Sequence, residues 1–193
     1  MTNAAAELVR YYRWLRQHGL NDSHSGNGSC RVGDGVWMTP TGCCAETLEE
    51  DMLLHCPVEG PAPEGATLDA ALHLAVYQRN PECTAVLHSH GPHTIAVTLD
   101  GADFMPVDFE GRYYFGAVPV ICIDDDRYIA ESPEMIARSL AGSRIAVVRG
   151  HGSYSGAESL DLAYKWACSL ESSARIAWLA GQHERVTGDS VNE

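Results

Sequence analysis

An apolar run that ends in alternating histidines most constrains this chain. Ala85, Val86 and Leu87 in "TAVLHSH" have the composition of a buried strand. Residues two apart in a strand share a face, so His88 and His90 project side by side from its end. Immediately upstream, "LDAALHLAVYQRN" (68–80) carries Leu72, Ala75, Val76 and Arg79 along one helical edge, and Pro81 breaks the helix. A helix leading directly into a buried strand is an α/β pattern.

The rest of the chain extends that pattern. Residues 4–18 are amphipathic, with Ala5, Leu8, Val9, Tyr12 and Leu15 at helical spacing and Gly19 as a stop. "SCRV" and "VWMT" flank a Gly-Asp-Gly turn and read as a hairpin. A short helix is expected at 93–99, strands at about 117–123 and 144–149, and a helix after Ser132-Pro133 with the proline in its first turn. Leu160, Ala163, Tyr164, Ala167 and Cys168 mark a last helix that Gly181 should end, and the polar tail after Gln182 should fray. No internal repeat or low-complexity linker interrupts the chain. The expected fold is α/β in three layers, α/β/α, around a mixed, largely antiparallel sheet. At 193 residues and 45% hydrophobic content, the expectation is one domain over residues 1–193.

Composition removes several functions. With 26 acidic against 13 basic residues, the formal charge of −13 opposes binding to nucleic acid or to an anionic membrane surface. Lys165 is the only lysine, and it lies in a helical segment far from the histidines in sequence, which disfavours Schiff-base chemistry. The seven cysteines (30, 43, 44, 56, 83, 122 and 168) lack CxxC spacing and fall mostly in apolar stretches, as reduced core residues do. The N-terminus shows no apolar signal region, and no stretch of about eighteen apolar residues occurs, so a cytoplasmic protein is expected.

A third histidine completes a metal pattern. His151, in "IAVVRGHGSYSG", follows a second β-branched run and has glycine on both sides. Two strand ends can converge on one ion, and three histidines that leave a position open make a catalytic rather than a structural site. His88, His90 and His93 also fit the H-x-H-x-x-H spacing of metallo-β-lactamase-like hydrolases, but Pro92 stands where that class needs an Asp. His93 therefore reads as a helix-start residue or a hydrogen-bonding neighbour.

Taken together, "SGNGSCRV…WMTPTG", "TLDAALHLAVYQRNPECTAVLHSH" and "VVRGHGSYSGAESLDLAYKWACSLESSARI" resemble the class II aldolase/adducin family in order and spacing. The resemblance implies a metal-dependent C–C lyase with His88, His90 and His151 as ligands, agreeing with the choice made from the residues alone. Zn²⁺ is the implied ion, although histidines also accept Co²⁺, Mn²⁺ or Fe²⁺. In such a reaction a divalent ion held by adjacent carbonyl and hydroxyl oxygens stabilises the enediolate left when the C–C bond breaks.

The resemblance also makes Asp69 the acid/base group, whereas its plain alternative is an N-cap for the following helix. It assigns the substrate's phosphate to Gly26-Asn27, Thr41-Gly42 and Thr67-Leu68, where Leu68 replaces a hydroxyl residue; the first two pairs are also ordinary turn dipeptides. In "EGRYYFGAVPV", Arg112 stands where related epimerases carry a catalytic Asp, which disfavours epimerisation. Arg112 could hold a carboxylate or phosphate, or be a solvated loop charge. Tyr113 is a candidate catalytic phenol, with packing at an interface as its alternative, and the same holds for Tyr114. A small anionic substrate and a homotetramer with interfacial active sites are further implications. Two rivals remain: a decarboxylase of a keto-acid-like substrate on the same fold, and a noncatalytic adducin-like assembly module.

Overall fold

The computed structural model describes residues 4–188, with side chains described to residue 182. A seven-stranded sheet has the order β3-β2-β1-β4-β7-β6-β5. Its strands are β1 (Asn27–Val32), β2 (Gly35–Met38), β3 (Leu54–Pro57), β4 (Ala85–Ser89), β5 (Val120–Ile121), β6 (Ile145–Val148) and β7 (Gly152–Ala157). All neighbours are antiparallel except β5 and β6, so the sheet is mixed and largely antiparallel, as expected. The histidine-bearing β4 is the central strand, and all five of its residues are buried.

Alternation along the strands divides the core in two. Cys30, Ala85, Leu87, Ile145 and Val147 pack against α1 (Ala4–Gln17) and α6 (Leu160–Gly188). Val36, Met38, Val86, Ala146 and Val148 face the other way, towards α2 (Ala70–Arg79) and α5 (Tyr128–Leu140). Side chains of a strand alternate between faces, so this division is the period-two pattern made physical and gives three layers. Two short helices, α3 (Pro92–Val97) and α4 (Phe109–Phe115), lie beside α6.

Several expected boundaries move. The strand placed at 117–123 is reduced to Val120–Ile121, with Val118 bridging to Phe104. The helix expected from Pro133 begins at Tyr128, because a 3-10 turn at Asp125–Arg127 leads into it; Pro133 lies inside, where it removes the i→i−4 bond to the Ile129 carbonyl without ending the helix. Gly181 does not end α6, which continues to Gly188, so the polar tail is helical over its described part; residues 189–193 lie outside the described residues. A lone glycine in a helix costs only about 1 kcal/mol relative to alanine, too little to stop one of 29 residues. Among the described residues all seven cysteines are free, and no helix is long and apolar enough to cross a membrane.

Candidate active site

The register of the sheet explains why His151 meets His88 and His90. β7 runs antiparallel to β4, pairing Ser89 with Ser153 and His88 with Tyr154, so the start of β7 lies beside the end of β4. The tight β6–β7 connection, Arg149-Gly150-His151, is therefore delivered to that end, with the His151 amide donating to the Val148 carbonyl at 3.0 Å. Gly152 must be glycine here, since a Cβ would lie 2.4 Å from the Ser89 carbonyl oxygen and 2.8 Å from the His90 ring.

The three imidazoles point at a common centre. His88 Nε2 lies 2.8 Å from His90 Nε2 and 3.3 Å from His151 Nε2. His88 is buried and its Nδ1 donates to the Ser153 carbonyl at 3.0 Å, a bond that assigns the tautomer and leaves the Nε2 lone pair facing the centre. Burial lowers the pKa of all three, His90 to about 4 and His88 well below the usual histidine range, with the neighbouring imidazoles adding to the effect on both. Neutral imidazole nitrogens facing one another at these distances repel unless a proton or cation lies among them, so the donor set fits a divalent ion.

Asp69 occupies the N-cap position of α2, yet its carboxylate caps nothing there. It turns inward, 5% exposed, and its Oδ2 lies 4.0 Å from His88 Nε2. Oδ2 accepts from Asn27 Nδ2 and from the Tyr154 hydroxyl, and Oδ1 from the Tyr128 hydroxyl, each at 2.8 Å. Burial pushes this carboxyl up, but His88, the Asn27 amide, His73 and Tyr154 outweigh it and hold the group at about 2. Tyr154 also stacks on His88 at 4.0 Å, and Tyr128 meets the His151 ring edge-on at 5.0 Å. The two hydroxyls touch each other, and each phenol is raised by burial first and by the Asp69 charge second.

Behind Asp69 runs a buried chain of hydrogen bonds with one consistent direction. Asn27 Nδ2 faces a carboxylate, so its Oδ1 must be what meets His73 Nε2 at 2.7 Å, and that nitrogen carries the proton. His73 Nδ1 then accepts from Ser29 Oγ at 2.6 Å, and Ser29 Oγ accepts from Tyr77 at 2.7 Å. His73 is fully buried, and burial lowers its pKa to about 4, the Asp69 charge opposing, so it stays neutral.

The loops singled out for substrate come together, though not every side chain is free to bind it. Backbone bonds from Thr39 N to the Gly28 carbonyl, Thr67 N to the Thr39 carbonyl and Thr41 N to the Gly65 carbonyl join the three loops. Gly26 (φ +69°) and Gly42 (φ +61°) take left-handed turns that glycine permits. Asn27, however, spends its amide on Asp69 and His73, and Thr67 Oγ1 accepts from the Asp69 amide at 3.4 Å. Thr41 and Gly42 are exposed. Arg112 and Tyr113 are not brought to the histidines within one chain: both lie on α4, where Arg112 donates to the Val107 carbonyl and Tyr113, 76% exposed, stacks on Phe109. Tyr128 and Tyr154 were missed by sequence reasoning. Tyr154 had a weak signal, as the one large residue after His151 in "GHGSYSG", two places beyond Gly152; Tyr128 had none.

Comparison with known proteins agrees with the fold. The 5-methylthioribulose-1-phosphate/5-deoxyribulose-1-phosphate aldolase of Escherichia coli is 25% identical, over 94% of this chain and 80% of that protein. The 3-oxo-tetronate 4-phosphate decarboxylase of Pectobacterium atrosepticum is 26% identical, over 98% and 91%. The crystal structure of L-fuculose-1-phosphate aldolase from Thermus thermophilus superposes with a TM-score of 0.88 at 29% identity, covering 94% of this chain and 95% of that one. The sequence pattern of the class II aldolase and adducin N-terminal domain matches residues 6–178, and the chain belongs to that family.

Proposed function

We propose that the protein is a metal-dependent C–C lyase that cleaves and forms an aldol bond in a small anionic hydroxy-carbonyl compound, phosphorylated or otherwise charged. The observation that carries this reading is the convergence of His88, His90 and His151 with an ionised Asp69 lying 4.0 Å from His88 Nε2. When bound, a divalent ion, Zn²⁺ foremost with Co²⁺, Mn²⁺ or Fe²⁺ as alternatives, supplies Lewis-acid stabilisation of negative charge on substrate oxygens. The chain supplies the rest. Asp69, held as a carboxylate, takes the hydroxyl proton as the C–C bond breaks and the electron pair passes to the carbon beside the carbonyl. It then returns the proton to that carbon. Tyr128 and Tyr154 fix the carboxylate on both oxygens while this happens.

The same residues suit decarboxylation, in which the substrate carboxylate leaves as carbon dioxide, its bonding electron pair stays on the carbon beside the carbonyl, and that carbon takes up one proton from solvent water. A decarboxylase relative that aligns over 98% of this chain favours keeping this second reading. The intact histidines and Asp69 argue against a noncatalytic module. We assign a homotetramer on the family resemblance and a cytoplasmic setting on the seven unpaired cysteines. Exposed Met105, Val107, Phe109 and Tyr113 support assembly, because an apolar face of this kind is suited to a subunit contact that could bring Arg112 and Tyr113 to a neighbour's site. Metal analysis of purified protein, with product detection on a panel of anionic hydroxy-ketones and keto acids, tests the reading. One metal per chain with aldehyde release supports the aldolase, metal with carbon dioxide release supports the decarboxylase, and no metal under metal-replete conditions overturns both.

A further inference from the structure

Glu171 reaches from α6 to the start of α3, the helix that begins two residues after His90. Its side chain is 14% exposed and accepts four hydrogen bonds. Oε1 takes the His93 amide at 3.1 Å and His93 Nδ1 at 2.7 Å; Oε2 takes the Thr94 amide at 2.9 Å and Thr94 Oγ1 at 2.8 Å. The first amides of a helix have no partner within it, and the usual remedy is a side chain at the N-cap. Here the N-cap is Gly91, which has none. Glu171 therefore serves as the cap, supplied by a different element.

The position of Gly91 follows from this. Its φ of −55° suits any residue, so backbone freedom is not what requires glycine. A Cβ there would lie 2.3 Å from Glu171 Oε2, so the missing side chain makes room for the carboxylate. His90 is thus gripped from both directions. Its amide donates to the Leu20 carbonyl at 2.8 Å and Asn21 Oδ1 at 2.9 Å, while the turn that follows it is held by Glu171.

We infer that Glu171 is a positioning residue for His90, fixing the Gly91-Pro92 turn through the cap on α3 and so setting where the His90 imidazole meets His88 and His151. This rests on the reading of the three histidines as metal ligands. In Glu171→Gln one of the two α3 amides must face an NH₂ group. In Gly91→Ala the carboxylate is displaced from the opposite side.

The test is a competition titration of metal-free protein with Zn²⁺ against a chromophoric chelator, together with the melting temperature and the ¹⁵N resonances of the histidine rings. Both variants should weaken Zn²⁺ binding about tenfold, the lower end of what loss of a residue supporting a metal ligand does. Both should move the His90 ring signals of the metal-free protein. Gly91→Ala should add little in a Glu171→Ala background, where the nearest remaining neighbour of its Cβ is the Thr94 hydroxyl at 3.2 Å. A lowered melting temperature with unchanged Zn²⁺ affinity and unmoved His90 signals would reduce Glu171 to a structural cap and overturn the inference. Wild-type protein that binds no Zn²⁺ would overturn the metal reading instead, and the His90 signals would still decide for or against Glu171. If Glu171→Gln does not fold, Gly91→Ala carries the test.

Discussion

Asp69 Oδ2 lies 4.0 Å from His88 Nε2, and one residue, Tyr154, binds the first through its hydroxyl while stacking its ring on the second. The carboxylate is thus fixed beside the point where the His88, His90 and His151 nitrogens converge. Asp69→Asn should leave the metal content at one ion per chain and lower turnover by about 10²- to 10⁴-fold, the usual range for loss of a positioned acid/base group. Metal analysis and kcat on the same preparation check this. Undiminished turnover would remove Asp69 from proton transfer.

Much of this site was legible because its residues sit where periodicity is strong. β4 is the central strand and buried throughout, so its apolar run and the His88/His90 alternation that follows stood out. Strand β7 was invisible: "GSYSGA" has no apolar alternation, because its small residues are chosen for close approach to β4, as Gly152 against the Ser89 carbonyl shows. Helix α4 is set by the Asp108 carboxylate accepting from the Gly111 amide and by Gly116, signals lost within an aromatic run. Tyr128 reaches Asp69 across 59 positions of sequence, and nothing local records that contact.

The three histidines should differ in what they contribute without metal. His88 is buried, hydrogen-bonded to Ser153 and stacked on Tyr154, whereas His90 and His151 are partly exposed. Alanine at any of the three should abolish tight metal binding. His88→Ala should also cost the metal-free protein about 2–4 kcal/mol, by opening a cavity and removing the hydrogen bond to the Ser153 carbonyl, and His151→Ala about 1 kcal/mol or less. Urea unfolding in the presence of a chelator distinguishes them; equal losses would contradict the assigned burial.

Neutral, buried His73 makes a pH dependence with a definite sign. Its pKa is lowered from 6.5 to about 4 by burial, so between these values the unfolded chain binds a proton that the folded chain does not. The stability it contributes is complete above pH 6.5 and falls as the pH drops towards 4. At about 1.4 kcal/mol per pH unit the loss amounts to about 3 kcal/mol. Asp69 acts in a lower window, its contribution being lost as pH falls from 3.8 to about 2, so the two do not overlap. Metal-free His73→Gln should show a shallower decline of stability between pH 6.5 and 4 than the wild type, by about one proton's worth of slope. Denaturant melts across that range measure it, and an unchanged slope would mean that His73 is not held neutral by the fold.

Gly26 ties the Gly26-Asn27 loop to the histidines through its missing side chain. Its φ is +69°, and a Cβ would lie 2.3 Å from Asn21 Nδ2 and 2.6 Å from the His88 carbonyl oxygen. The second neighbour is backbone and cannot swing aside, while Asn21 also accepts the His90 amide through Oδ1 at 2.9 Å. Gly26→Ala must therefore shift His88 and His90 or the loop itself. Gly33 supplies the control, since its φ is +59° but a Cβ there meets nothing within 4 Å. Gly33→Ala should cost about 1–2 kcal/mol from the left-handed backbone alone and leave Zn²⁺ affinity unchanged. Gly26→Ala should cost more and weaken Zn²⁺ binding as well. Melting temperature and Zn²⁺ titration on the pair separate conformational strain from displacement of the site; equal effects on both readouts would mean that Gly26 serves only the turn.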